Sequence, residues 1–115
     1  MYSININVEK NRIYIRLDAI DTGEGEKLVQ QILTETAKLS AGFTCVSDIS
    51  NFSLNDPGEA VWADTALKTL AEAGMVRAVR VTGHEMVYSE VKEKYGYMVG
   101  LAKTVEDADR ILDNL

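Results

Sequence analysis

The sequence has one cysteine among 115 residues, so no disulfide can close within the chain. Such a chain suits a reducing compartment, and a cytoplasmic location is the expectation. Cys45 lies in an apolar run, where an inert core thiol is a simpler reading than a nucleophile. Positive charge is short: 12 Lys and Arg stand against 18 Asp and Glu, a net charge of −6. That balance argues against docking to a phosphate backbone or to anionic lipid, both of which need clustered basic residues. Long apolar runs are missing as well. The opening MYSININVEKNR alternates polar and apolar residues and fits neither a signal peptide nor a membrane span. Neither nucleic acid nor membrane insertion is expected.

Motifs for cofactors are also lacking. No Gly-x-x-x-x-Gly-Lys phosphate loop occurs. Gly23-Glu24-Gly25 precedes a helix-like run, but Leu28 stands where a dinucleotide fingerprint needs its third glycine. Asp21, Glu24 and Glu26 would repel a pyrophosphate there. With Asp18, these acids lack the spacing of a calcium loop. The expectation is a chain without metal or cofactor.

What remains is ordinary globular composition, 46% hydrophobic and 26% charged, in a length that suits one domain spanning 1–115. Ile4, Ile6 and Val8 alternate with polar residues, as do Ile13, Ile15 and Leu17. Period two predicts two half-buried strands joined by the Glu9-Lys10-Asn11 turn, an antiparallel hairpin. From Glu24 the spacing turns helical through Leu28, Ile32 and Leu39, with Gly42 as a C-cap. Phe43–Ile49 reads as a strand, Val61–Ala71 as the body of a second helix stopped by Gly74, and Met75–Val81 as a strand. His84–Tyr95, with Val87, Val91 and Tyr95 at helical spacing, predicts a third helix. Tyr97–Ala102 predicts a strand, and Thr104 opens a last helix with a capping box completed by Asp107. The order is β-β-α-β-α-β-α-β-α. It implies an α/β fold in which an N-terminal hairpin joins a largely parallel sheet covered by helices. Partners of such sheets meet the loops beyond the strands' carboxyl ends, here 48–57, 82–85 and 102–104.

Those loops hold the candidate site residues. In NFSLNDPGEAVW, residues 51–62, Asp56 is an N-cap type, Pro57 suits the first helical position and Glu59 completes an Asp-x-x-Glu box. The structural reading is a well-built helix start. The functional one is a recognition surface formed by its exposed amides. Asp48, beside Ser50, Asn51, Ser53 and Asn55, either contacts a partner or holds loop amides in place. His84 follows Thr82-Gly83 at another strand end; it is either a general base or a helix-start residue. Trp62 either flanks the core or anchors a partner. Arg77 and Arg80 interrupt a buried-looking strand, and either snorkel or pair with carboxylates.

The element order and the run SDISNFSLNDPGEAVWADTALKTL resemble the STAS domain (sulfate transporter and anti-sigma factor antagonist), and within it the SpoIIAA-like proteins. In that family a strand runs into apolar-Asp-Ser-Ser-Gly at the start of the second helix. By the resemblance, Asn55 falls on the family aspartate, Asp56 on the phosphorylated serine, Pro57 on the second serine and Gly58 on the glycine. No serine or threonine occupies the switch position. Asp56 brings a permanent charge, smaller than the roughly −1.5 to −2 of a phosphate. The resemblance implies a non-catalytic regulatory module that binds a protein such as an anti-sigma factor. A homodimer and a small apolar ligand are the alternative partners. Related folds enclose lipids between sheet and helices, and Met75, Met86, Met98 and Trp62 are candidates to line such a pocket, ordinary core being the alternative.

Overall fold

A computed structural model of the chain describes residues 1–52, 57–83, 91–93 and 95–115. β1 (Tyr2–Asn7) and β2 (Arg12–Leu17) form the antiparallel hairpin that the alternation predicts. Its turn closes because Asn11 takes the left-handed conformation, φ 53°, which asparagine tolerates better than most residues. The Asn11 side chain then clasps the segment after the first helix: its amide donates to Ser40 O at 3.1 Å, and Ser40 N donates to Asn11 Oδ1 at 2.9 Å.

α1 (Thr22–Thr36) starts at Asp21, whose carboxylate accepts from Glu24 N at 2.8 Å. It ends before the expected Gly42 cap. Ala37 is its C-cap in right-handed conformation, and Gly42 instead donates to Gly74 O at 2.8 Å across to the next helix end. β3 (Thr44–Asp48), α2 (Pro57–Ala73) and β4 (Arg77–Val81) follow as expected. Pro57 is the first residue of α2, the place where its missing N–H costs nothing.

The predicted third helix is corrected in its last part. Residues 84–90 and 94 lie outside the described residues. Val91–Lys92 form a short strand, β5, antiparallel to β6 (Met98–Ala102). Glu93 N donates to Tyr97 O at 2.8 Å and Gly96, at φ 92°, permits the tight turn between them. Three apolar residues at i, i+4 and i+8 matched a helix, yet Val91 is β-branched and Tyr95-Gly96 makes a turn. α3 (Val105–Asp113) is capped by Thr104, which accepts from Asp107 N at 3.1 Å. Only that half of the expected box forms, because the Asp107 carboxylate takes Arg110 at 3.1 Å instead.

The six strands make one sheet in the order β1-β2-β3-β4-β6-β5. β2, β3, β4 and β6 run parallel, and the outer two strands are antiparallel to their neighbours. The mixed α/β architecture is therefore as expected. The two faces are unequal. On one, α1 and α2 bury Ile13, Ile15, Cys45, Ala78 and Val99 against Leu28, Ile32 and Leu70. On the other, α3 lays Ala108 and Leu112 over Val46, Val79, Val81 and Ala102. An ion cluster fixes α3 to β2: Arg12, 4% exposed, pairs with Asp109 and with Asp113 at 3.0 Å, and Tyr14 Oη donates to Asp109 at 2.6 Å.

Candidate functional site

Three connections meet beyond the carboxyl ends of the parallel strands. Ile49 N donates to Val81 O at 3.0 Å, Thr82 N to Ala102 O at 3.0 Å, and Gly83 N to Lys103 O at 3.1 Å. These bonds extend the sheet past β3, β4 and β6 and hold the loops together. Gly83 lies so close to Ser50 that an added Cβ would sit 3.2 Å from the serine Cβ.

Asp48 serves this loop. Its Oδ1 accepts from Ser50 N at 3.1 Å and from Ser50 Oγ at 2.6 Å, a side-chain-closed turn that Phe52 N continues by donating to Ile49 O at 3.0 Å. The amide-holding reading of Asp48 is thus the one its geometry displays. Ser50 and Asn51 are exposed, and so is Gly58 at the start of α2. Asp48, Ser50 and Asn51 lie at and just beyond the carboxyl end of β3, and Gly58 lies in the first turn of α2. Ser53, Asn55, Asp56 and His84 lie outside the described residues, so the cap on α2 and any approach of His84 to Asp48 are not part of the geometry.

Trp62 lies elsewhere. Its indole packs over Gly25, where a Cβ would overlap the ring. The side chain is partly buried against the α1–α2 core. The glycine of the rejected dinucleotide pattern thus has a packing task. On the outward surface of α2, Val61 is 60% exposed, a large apolar side chain one helical turn from Gly58.

A cavity of about 210 Å³ lies between α2 and the sheet. It is bordered by Ala60, Ala63 and Ala66 on α2 and by Ile15, Ser47 and Arg80 on the strands. Trp62, Met75 and Met98 do not line it: Met75 is buried in the core, and Met86 lies outside the described residues. Near its rim the Tyr95 hydroxyl donates to Asp64 Oδ2 at 2.8 Å, and Arg80 approaches Glu93 at 3.7 Å. The Tyr97 hydroxyl is buried beside Arg80; burial raises its pKa, and Arg80 partly offsets the rise. Sequence reading missed Asp64 and the alanines, since a small residue in a helix announces propensity rather than a cavity.

Cys45 is fully buried, which pushes its thiol pKa up to about 12. Among the described residues, no three His, Cys, Asp or Glu side chains gather to hold a metal ion, and no helix is long and apolar enough to cross a membrane. Set against protein-family models, curated proteins and solved structures, the chain matches none.

Proposed function

We propose that the chain is a non-catalytic, STAS-like regulatory module that binds a protein through its strand-end face. The observation that carries this reading is the convergence of the 49–52, 82–83 and 102–103 connections at the strand ends, with Ile49 of the first and Ala60 in the first turn of α2 bordering one pocket. Asp48 stiffens the first of these loops, so the face is preorganised and less entropy is lost on binding. Val61 supplies exposed apolar area one helical turn from Gly58, and protein interfaces mix such area with polar residues. By the resemblance the partner is an anti-sigma factor or another regulator, and Asp56 provides a constant negative charge where the family carries a reversible one.

The test is a pulldown from native cytoplasm with the wild-type chain, followed by titration of the captured partner with variants. Asp56→Asn preserves most of a helix cap but removes charge; Asp56→Ala removes both and lowers stability by about 0.5–2 kcal/mol. Both should weaken the partner, and Val61→Asp should weaken it without lowering the melting temperature. Wild-type affinity in Asp56→Asn would remove the idea of a charge at the switch position. Wild-type affinity in Val61→Asp would remove the surface.

One observation favours a second reading, a small-ligand protein: the cavity beneath α2. At about 210 Å³ it is below the roughly 300–1,000 Å³ of drug-sized pockets. A long acyl chain does not fit that volume, so the cargo on this reading is a small molecule rather than a lipid.

A further inference from the structure

We infer that the cavity between α2 and the sheet binds a small monocarboxylate whose apolar body is about the size of one aromatic ring. This rests on the small-ligand reading and deepens it, and its test is separable from that of the strand-end surface. The void has a local cause. α2 borders the sheet with Ala60, Ala63 and Ala66, whose methyl groups leave open the space that leucines would fill. An apolar cavity of about 150 Å³ takes up benzene, so about 210 Å³ accommodates a ring and a small head group. Ile15, Leu17, Leu67 and Leu70 make the walls apolar, which sets the chemistry of the body.

The head group follows from the donors. Ser47 is 7% exposed and brings a hydroxyl to the border of the cavity. Arg80 also borders it, approaching Glu93 at 3.7 Å and the Tyr97 hydroxyl, and its guanidinium has five N–H donors, more than these two contacts use. A hydroxyl and a guanidinium together favour a ligand that accepts hydrogen bonds, and a carboxylate is the acceptor that also matches the charge of Arg80. Asp64 on the opposite wall and Glu93 behind Arg80 place two negative charges nearby. They disfavour a dicarboxylate or a phosphate and leave room for a single charge.

The experiment titrates the full-length, isotopically labelled chain with benzoate, benzylamine and benzene, following amide resonances and melting temperature. Benzoate should shift the amides of Ser47, Ala63 and Arg80 saturably and raise the melting temperature. Benzene should bind more weakly, and benzylamine should leave these amides in place. Ala63→Leu, which fills the void, should abolish the shifts. Should that variant fold poorly, Ser47→Ala removes only a hydroxyl and should weaken benzoate several-fold. Arg80→Gln should weaken it about tenfold or more, as loss of a hydrogen bond to a charged group does. Val61→Asp, on the outer side of α2, should leave benzoate binding unchanged, so loss of the partner surface and loss of this site are separable. The inference fails if no probe shifts these amides, if benzene or benzylamine binds there as tightly as benzoate, or if binding survives in Ala63→Leu or is unchanged in both Ser47→Ala and Arg80→Gln.

Discussion

Gly25 and Trp62 are 37 positions apart and no pattern joins them, yet the indole occupies the place of a Cβ on that glycine. The sequence offered a Gly-x-Gly pair and a lone tryptophan as separate puzzles. Their common answer depends on how two helices are set against each other, which no local spacing reports. Gly25→Ala should therefore destabilise the protein by about 1–3 kcal/mol through overpacking, although alanine is the better helix former. Pairing it with Trp62→Leu should recover part of that loss, a coupling that urea unfolding of both single variants and the double variant will measure. If Gly25→Ala is as stable as the wild type, the close contact between ring and helix is wrong. Cys45 was easier to read, because an apolar run around a lone thiol is a local signal. With its thiol pKa pushed up to about 12 by burial, it should resist alkylation in the folded chain at neutral pH and react on unfolding. Rapid labelling of the native protein would contradict its place in the core.

At the scale of elements, strands were legible where alternation was strict and helices where a cap was present. β1, β2 and α3 illustrate this: period two for the hairpin, and Thr104 for the helix start. The stretch from His84 to Tyr95 defeated the same method because short apolar spacings fit either structure. What fixes β5 there is pairing with β6, a tertiary contact. The attachment of α3 was likewise hidden, since Arg12 and Asp109 are far apart in the chain. Burial alone pushes the Asp109 carboxyl up, but hydrogen bonds from Tyr14 and Arg12 outweigh it and hold the group below its usual range. The hydrogen bond from Lys10 does the same for Asp113. A carboxylate with a lowered folded pKa binds fewer protons folded than unfolded. Its contribution is complete above the unfolded value, about 3.9, and is lost as pH falls through the lower folded one. Stability should therefore drop below about pH 4, and Asp109→Asn should flatten that slope. The variant should also lose about 1–3 kcal/mol at neutral pH, since a neutral amide replaces the charged acceptor of buried Arg12. Urea midpoints measured across a pH series check both. A slope identical to wild type would mean that the cluster does not carry the docking of α3.

For the whole molecule, the sheet's two faces are each closed by the chain's own side chains, one by α1 and α2 and the other by α3. The sequence disclosed the sheet but not this division, because a buried parallel strand reads as apolar on both sides. It disclosed the strand-end face for the complementary reason. Loop composition is local, and crossover geometry places those loops together. A pocket between sheet and helices was among the alternatives, but its lining was not legible, because the three alanines that border it look like ordinary helix formers. The closed faces make a prediction for folding as a unit. Each apolar cluster is built from the chain's own side chains, so a metal or a nucleotide should not contribute to stability by mass action. Thermal melts with a chelator, with calcium, magnesium or zinc, and with ATP or NAD should coincide. Benzoate at a concentration well above its dissociation constant should be the exception, and its shift should disappear in Ala63→Leu. A rise of several degrees with a metal or a nucleotide would show that a bound group shares in holding the fold together. The two closed faces would then be an incomplete account of its stability.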